Sequence, residues 1–183
     1  GIALPDAGSP RAGMGIDAAD IDNSGRPSLL ICNFAGEGIS LFYTAGAGQF
    51  RDVSRTWQVQ QASLPLLGWG LFCFDYDLDG RQDLLVVNGH LYDNITLFHP
   101  DQTYLDPPLL FHNEGGKFLE VGAAHGSDLI KPMAARGAAY ADIDGDGKLD
   151  VAASSQPDDR IAWFRNVGGA LSGGLFGFNL ANP

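Results

Sequence analysis

The chain has 183 residues, and its 22 acidic against 11 basic side chains give a formal net charge of −11. That balance excludes nucleic acid as a partner, because binding a phosphate backbone requires a basic footprint. No apolar run reaches the roughly 18–20 residues of a membrane-spanning helix, and 25 glycines suit a fold rich in tight turns.

In chain order, the first organised feature is Gly15, followed five residues later by the turn Asp20-Ile-Asp22-Asn-Ser24-Gly25 and the apolar run Leu29-Leu30-Ile31-Cys32. An apolar-aromatic segment, Leu41-Phe42-Tyr43, then leads into the glycine turn Gly46-Ala-Gly48-Gln-Phe50. The pattern restarts at Gly70 within Gly70-Leu71-Phe72-Cys73-Phe74, continues through Asp75-Tyr-Asp77-Leu-Asp79-Gly80, and resumes as Leu84-Leu85-Val86-Val87. Its aromatic segment, Leu110-Phe111-His112-Asn113, precedes Gly115-Gly116-Lys-Phe118. Phe111 lies 36 residues beyond the first aspartate of its turn, whereas Phe42 and Phe164 lie 22 beyond theirs, so the second copy carries an insertion within 90–108. The third copy runs from Gly137 through Asp142-Ile-Asp144-Gly-Asp146-Gly147 and Val151-Ala152-Ala153 to Trp163-Phe164-Arg165-Asn166. Gly168-Gly169 follows, with Leu171 where the other copies have phenylalanine.

The turns have the donor spacing of a compact calcium loop. Oxygens at positions 1, 3, 5 and 9, with a main-chain carbonyl at 7, supply most of the six to eight ligands that Ca²⁺ takes at about 2.3–2.6 Å. In copy two these are Asp75, Asp77, Asp79 and Asp83 with the Arg81 carbonyl. In copy three they are Asp142, Asp144, Asp146 and Asp150 with the Lys148 carbonyl. Copy one offers Asp20, Asp22, Ser24 and Ser28 with the Arg26 carbonyl, a degenerate set. Two Ca²⁺ sites and a weaker third are expected. An EF-hand is excluded, because position 12 is Ile31, Val86 or Ala153 and supplies no bidentate glutamate. The apolar flanks are too short for helices and read as buried strands, which puts the loops at hairpin tips.

Repeats of roughly 50–65 residues with about four short strands each read as propeller blades. The predicted fold is therefore all-β, with about three blades over 13–54, 68–122 and 135–168 of a propeller region 1–168. The string Asp-x-Asp-x-Asp-Gly-x-x-Asp, followed by an apolar strand and an aromatic-Arg/His-Asn-x-Gly-Gly turn, resembles the FG-GAP (VCBS-type) repeat of integrin-α-like propellers. Gly68-Trp69-Gly70, Asn88-Gly89-His90, Pro107-Pro108-Leu-Leu-Phe-His-Asn113 and Arg136-Gly137-Ala138-Ala139 are similar to its ASPIC/UnbV branch, related to cartilage acidic protein. The resemblance implies a secreted, calcium-stabilised β-propeller. It departs at Ser24 and Ser28, and in having too few repeats to close a ring.

Propellers close with about four to eight blades. The expectation is that this chain is part of a longer propeller, or that several copies complete one another through the glycine-rich tail 169–183, where Leu175, Phe176, Phe178 and Leu180 suggest the last strand of the third blade, the start of a following domain or an exchanged strand. The expected role is a calcium-dependent structural or adhesive module at the cell surface. A glycan- or protein-recognition module using 90–108 is the alternative, with a fragment of a propeller enzyme behind both. No general base with an oriented partner or zinc spacing is present, so no catalytic residue is assigned. His90, His99, His112 and His125 are read as structural or loop residues. Trp57, Trp69 and Trp163 are read as blade-packing residues, with a carbohydrate platform as the alternative. Cys32 and Cys73 are compatible with a bridge or with two free thiols, and Asn94-Ile-Thr96 is a glycosylation sequon.

Overall fold

A computed structural model of the protein describes residues 8–125, 128–156 and 160–174. They form three four-stranded antiparallel sheets, each wound up and down in sequence order. The first comprises β1 (Ile16–Ala19), β2 (Ser28–Ile31), β3 (Ser40–Gly46) and β4 (Gln49–Asp52). The second comprises β5 (Gly68–Phe74), β6 (Asp83–Asn88), β7 (Leu109–Asn113) and β8 (Phe118–Glu120). The third comprises β9 (Ala135–Ala141), β10 (Asp150–Ser155), β11 (Arg160–Asn166) and β12 (Leu171–Gly174). A five-residue helix, α1 (Val59–Ser63), joins the first two sheets.

Period-2 alternation decides which face of each strand meets which neighbour. Leu71, Cys73, Leu84, Val86 and Phe111 pack with Ala19, Ile21, Leu30, Cys32 and Leu41 of the first sheet. The intervening residues Phe72, Phe74, Leu85, Val87 and Leu110 pack instead with Val151, Ala153, Ala162, Phe164 and Leu171 of the third. The middle sheet is thus covered on both sides, which is why its strands are continuous apolar runs and why all six residues of β6 are buried. The outer sheets each have one such neighbour, and their runs are correspondingly weaker.

The repeated glycine before loops one and two is a contact point between sheets. A Cβ at Gly15 would lie 2.2 Å from the Trp69 carbonyl oxygen, and one at Gly70 would lie 2.9 Å from the Ala138 amide nitrogen. At Gly137 the nearest atom would be Ser154 Oγ of its own sheet, 3.7 Å away. Two main chains approach closely where a sheet has a following neighbour, and glycine permits it.

The third sheet extends beyond residue 168. Its fourth strand, β12, lies in the segment that the sequence reading set apart as a tail, and Leu171 is fully buried in the core. The expectation for Leu175, Phe176, Phe178 and Leu180 falls outside the described residues. The insertion is a long connection between β6 and β7, tied down where Asn88 Nδ2 donates to the Pro107 carbonyl at 2.8 Å. Cys32 and Cys73 are both buried and free. Trp57 and Trp69 pack as expected: Trp57 is in the core, and Trp69 lies under the Arg136 guanidinium at 4.9 Å.

Candidate functional site: the aspartate loops

Each loop joins the first two strands of its sheet, as the apolar flanks required. Two backbone features recur in all three. Position 4 (Asn23, Leu78, Gly145) and position 6 (Gly25, Gly80, Gly147) all have positive φ. Glycine reaches that region freely and asparagine tolerates it, whereas Leu78 at φ 63° is held there against its side-chain preference. The fold imposes the loop shape even where the residue resists it.

The position-1 aspartate organises each turn by accepting main-chain amides. Asp20 accepts from Ser24 N at 2.9 Å and Gly25 N at 2.7 Å. Asp75 accepts from Asp79 N at 3.0 Å and Gly80 N at 2.8 Å. Asp142 accepts from Gly145 N at 2.8 Å and Gly147 N at 3.1 Å. The position-3 residues Asp22, Asp77 and Asp144 accept from the amide of position 5 at 3.2–3.3 Å. These bonds turn the carboxylates of Asp75, Asp77 and Asp79 toward one another, and likewise those of Asp142, Asp144 and Asp146, with ligand atoms within 4.8 Å in each group. Both groups could hold a metal ion. In loop one Ser24 is exposed and Ser28 is fully buried with its Oγ accepting from Thr44 N at 3.4 Å, so only Asp20 and Asp22 offer carboxylates.

Position 9 has a second task that sequence spacing does not reveal. Asp83 is fully buried; its Oδ1 accepts from Asn113 N at 2.8 Å and its Oδ2 from Tyr76 N at 3.3 Å. Asp150 repeats this with Asn166 N at 2.7 Å and Ile143 N at 3.2 Å. Each carboxylate therefore ties its loop to the third strand of its own sheet. One lone pair per oxygen remains for a cation. Asp83 also groups with Asp77 and His112, whereas Asp150 stands outside the carboxylate group of loop three.

The anchored asparagines then cross to the preceding sheet. Asn113 Nδ2 donates to the Ile21 carbonyl of loop one at 2.7 Å, and Asn166 Nδ2 donates to the Tyr76 carbonyl of loop two at 2.7 Å. Asn23 Nδ2 adds a bond from loop one to the Gly80 carbonyl of loop two at 3.1 Å. The loops lie side by side and are wired together.

Concentrated acidity needs compensation, and this chain supplies part of it. Position 7 contributes through its side chain in loops two and three: Arg81 pairs with Asp79, and Lys148 Nζ lies 2.7 Å from Asp146 Oδ2. The residue after the third-strand phenylalanine reaches the position-3 aspartate in every copy. Tyr43 donates to Asp22 Oδ2 at 2.7 Å, His112 Nδ1 lies 3.3 Å from Asp77 Oδ2, and Arg165 Nε lies 2.5 Å from Asp144 Oδ2. Sequence reading left His112 among the structural histidines; the signal that could have found it was its shared position with Tyr43 and Arg165. Burial pushes the Asp83 carboxyl up to about 7; the Asn113 amide opposes this and the Asp77 charge adds to it. The Lys148 bond holds Asp146 below its usual value. Burial is the largest single effect on Asp22 and works upward, but donation from Tyr43 and Ser24 together outweighs it and leaves the net shift downward.

Residues 20–86, from loop one through most of β6, match the family model described as FG-GAP-like repeat. The chain carries an FG-GAP repeat. No curated protein matches it. The matched stretch holds the first two aspartate loops together with β2 to β5, the strands between them. The third sheet, outside the match, reproduces the same strand order, loop shape and asparagine bond. No helix among the described residues is long and apolar enough to cross a membrane.

Proposed function

We propose that this chain is a calcium-binding β-propeller module of the extracellular space with a structural or adhesive role, and that its three sheets are consecutive blades of a larger ring. The observation that carries the reading is the convergence of Asp75, Asp77 and Asp79, and of Asp142, Asp144 and Asp146, in loops of one backbone shape. Clustered carboxylates are hard oxygen donors without the rigid octahedral placement that Mg²⁺ demands, which favours Ca²⁺. The carbonyls of Arg81 and Lys148 would complete the two sites, with Arg26 in the weaker first loop. Extracellular modules bind Ca²⁺ at about 10⁻⁴–10⁻³ M, so such sites fill outside cells. Titration calorimetry of chelator-stripped protein tests this: two Ca²⁺ bound more tightly than Mg²⁺ are expected, and the absence of Ca²⁺-dependent heat together with an unchanged melting curve would refute it.

The connection between β6 and β7 favours a second reading, recognition of a protein partner. It exposes Leu91, Tyr92, Leu97, Phe98 and Leu105, with Leu97 and Phe98 at 77% and 70%. An apolar group of this kind on one loop marks an interaction site more often than a lone exposed residue does. Replacing Leu97 and Phe98 with serine should leave folding intact and abolish capture of such a partner.

A further inference from the structure

The open face of the third blade is built for one kind of occupant, and the two interfaces inside the molecule show which. At both, the following blade contributes an asparagine whose Nδ2 donates to the carbonyl at loop position 2 of the preceding blade. That acceptor residue is then sealed, with Ile21 at 1% and Tyr76 at 3% exposure. Ile143 holds the same position in loop three and is 48% exposed. Gly137 holds the position at which Gly15 and Gly70 admit a neighbouring main chain.

The surrounding surface repeats two of the three side chains of the first interface. The residues of blade one beneath blade two are Asp17, Ala19 and Ile21; the equivalents on blade three are Ala139, Ala141 and Ile143. Against the first set sit Leu71, Cys73, Leu84, Val86 and Phe111, a bulky complement to a small-residue strand. A blade shaped like blade two would therefore meet the same side chains at Ala141 and Ile143, but without the acceptor that Asp17 Oδ2 gives Cys73 N at 2.8 Å in the first interface.

Blade one of a second copy lacks the group that makes the bond. Where blades two and three have Asn113 and Asn166, it has Thr44, and where they have Asp83 and Asp150 it has Ser28. Both members of the anchoring pair are shortened together. Thr44 donates its hydroxyl to Pro27 within its own blade, reproducing only the local half of the asparagine's role, which in blades two and three falls on Gln82 and Leu149.

We infer that the face formed by Ala139, Ala141, Ile143 and Gly137 binds a further blade bearing an asparagine after its third-strand aromatic, recognised through the Ile143 carbonyl, and does not bind blade one of another copy. This rests on the reading of the sheets as blades of a larger ring. The test places a reporter thiol on the full chain as Ile143→Cys; Cys32 and Cys73 are buried with thiols shifted upward by burial, and react slowly. Maleimide labelling of the introduced thiol is compared in the Ile143→Cys chain itself, in that chain extended after residue 183 by a second copy of 68–125, and in the same extension with the copied asparagine changed to alanine.

The unextended chain should label at a rate independent of its concentration and sediment as a monomer. The extension should slow labelling by at least about tenfold, and the alanine version should recover most of the rate, since an unpaired buried carbonyl weakens docking by roughly tenfold or more. Protection that rises with concentration of the unextended chain would make a second copy the occupant and overturn the inference. Equal protection with and without the asparagine would overturn it while leaving the ring reading intact. No protection from either extension would end the ring reading and the inference together.

Discussion

Asn166→Ala should be the most damaging single truncation among the polar residues of the third sheet. The side chain is fully buried and donates to the Tyr76 carbonyl at 2.7 Å and the Leu149 carbonyl at 3.3 Å, while its oxygen accepts from Gly168 N at 3.0 Å and Gly169 N at 3.3 Å. The glycine amides lie at a turn and can turn to water. The Tyr76 carbonyl cannot, because the residue is sealed between sheets at 3% exposure. Leaving a buried acceptor unpaired costs about 1–3 kcal/mol, and the weaker Leu149 bond adds about 0.5–1.5 kcal/mol. The expected loss is about 3 kcal/mol, equivalent to roughly 6–12 °C in melting temperature for a chain of this size. Asn113→Ala should behave alike, through the Ile21 carbonyl. The control is Thr44→Ala, whose hydroxyl serves only Pro27 at an exposed site, and which should change stability by less than about 0.5 kcal/mol. Urea unfolding of the three variants in one buffer, at fixed Ca²⁺, measures all of this. If Asn166→Ala and Thr44→Ala were equally mild, the asparagine bond would not hold the sheets together.

Calcium at a hundredfold excess over its dissociation constant should raise stability by about 2.7 kcal/mol per filled site, and Asp77→Ala or Asp144→Ala should abolish one such increment where Asp22→Ala removes less; equal losses at all three loops, read from melting curves with Ca²⁺ and with chelator, would make loop one a full site. Gly70→Ala should destabilise by roughly 1–3 kcal/mol, because its Cβ would meet the Ala138 amide, whereas Gly137→Ala should fall within about 0.5 kcal/mol. Similar unfolding midpoints for the two would contradict the close-approach account. Leu78→Gly should stabilise by roughly 0.5–1 kcal/mol by relieving a positive φ on an exposed leucine, and a loss of stability would show that the side chain has a packing role.

The loops were legible in the sequence because their chemistry is local: alternating carboxylates, a glycine at position 6 and apolar flanks of strand length lie within a dozen residues of one another. The division into three units of about four short strands followed from the same repeats. The asparagine bonds were not legible, because Asn113 and Ile21 are 92 residues apart and Asn166 and Tyr76 are 90 apart, and the acceptors are main-chain carbonyls that carry no residue signature. Nor was the second task of Asp83 and Asp150. Spacing marks them as ligands, and only the fold shows one oxygen taking an amide from the loop and the other an amide from the third strand. The repeated glycine was visible as a pattern, but its cause lies in the neighbouring sheet. Position 165 reads as a surface arginine until the fold lays it across Asp144.

These bonds join the loops into one network, so a cation bound in a loop would have a mechanical consequence. Tyr76 N donates to Asp83, Asp83 accepts from Asn113, and Asn113 reaches Ile21 of the first loop; Ile143 N, Asp150, Asn166 and Tyr76 repeat the chain one sheet further on. A cation that fixes Asp77 and Asp83 therefore also fixes the asparagine gripping the preceding sheet. Loss of the cation would loosen that contact as well as the loop. Asn113→Ala should then reduce the stabilisation that Ca²⁺ confers, although Asn113 offers the ion no ligand. A double-mutant cycle of Asn113→Ala and Asp77→Ala, read as melting temperature with and without Ca²⁺, measures the coupling. Strict additivity would show that ion binding and sheet docking are independent; a coupling of roughly 0.5–3 kcal/mol would place them in one network.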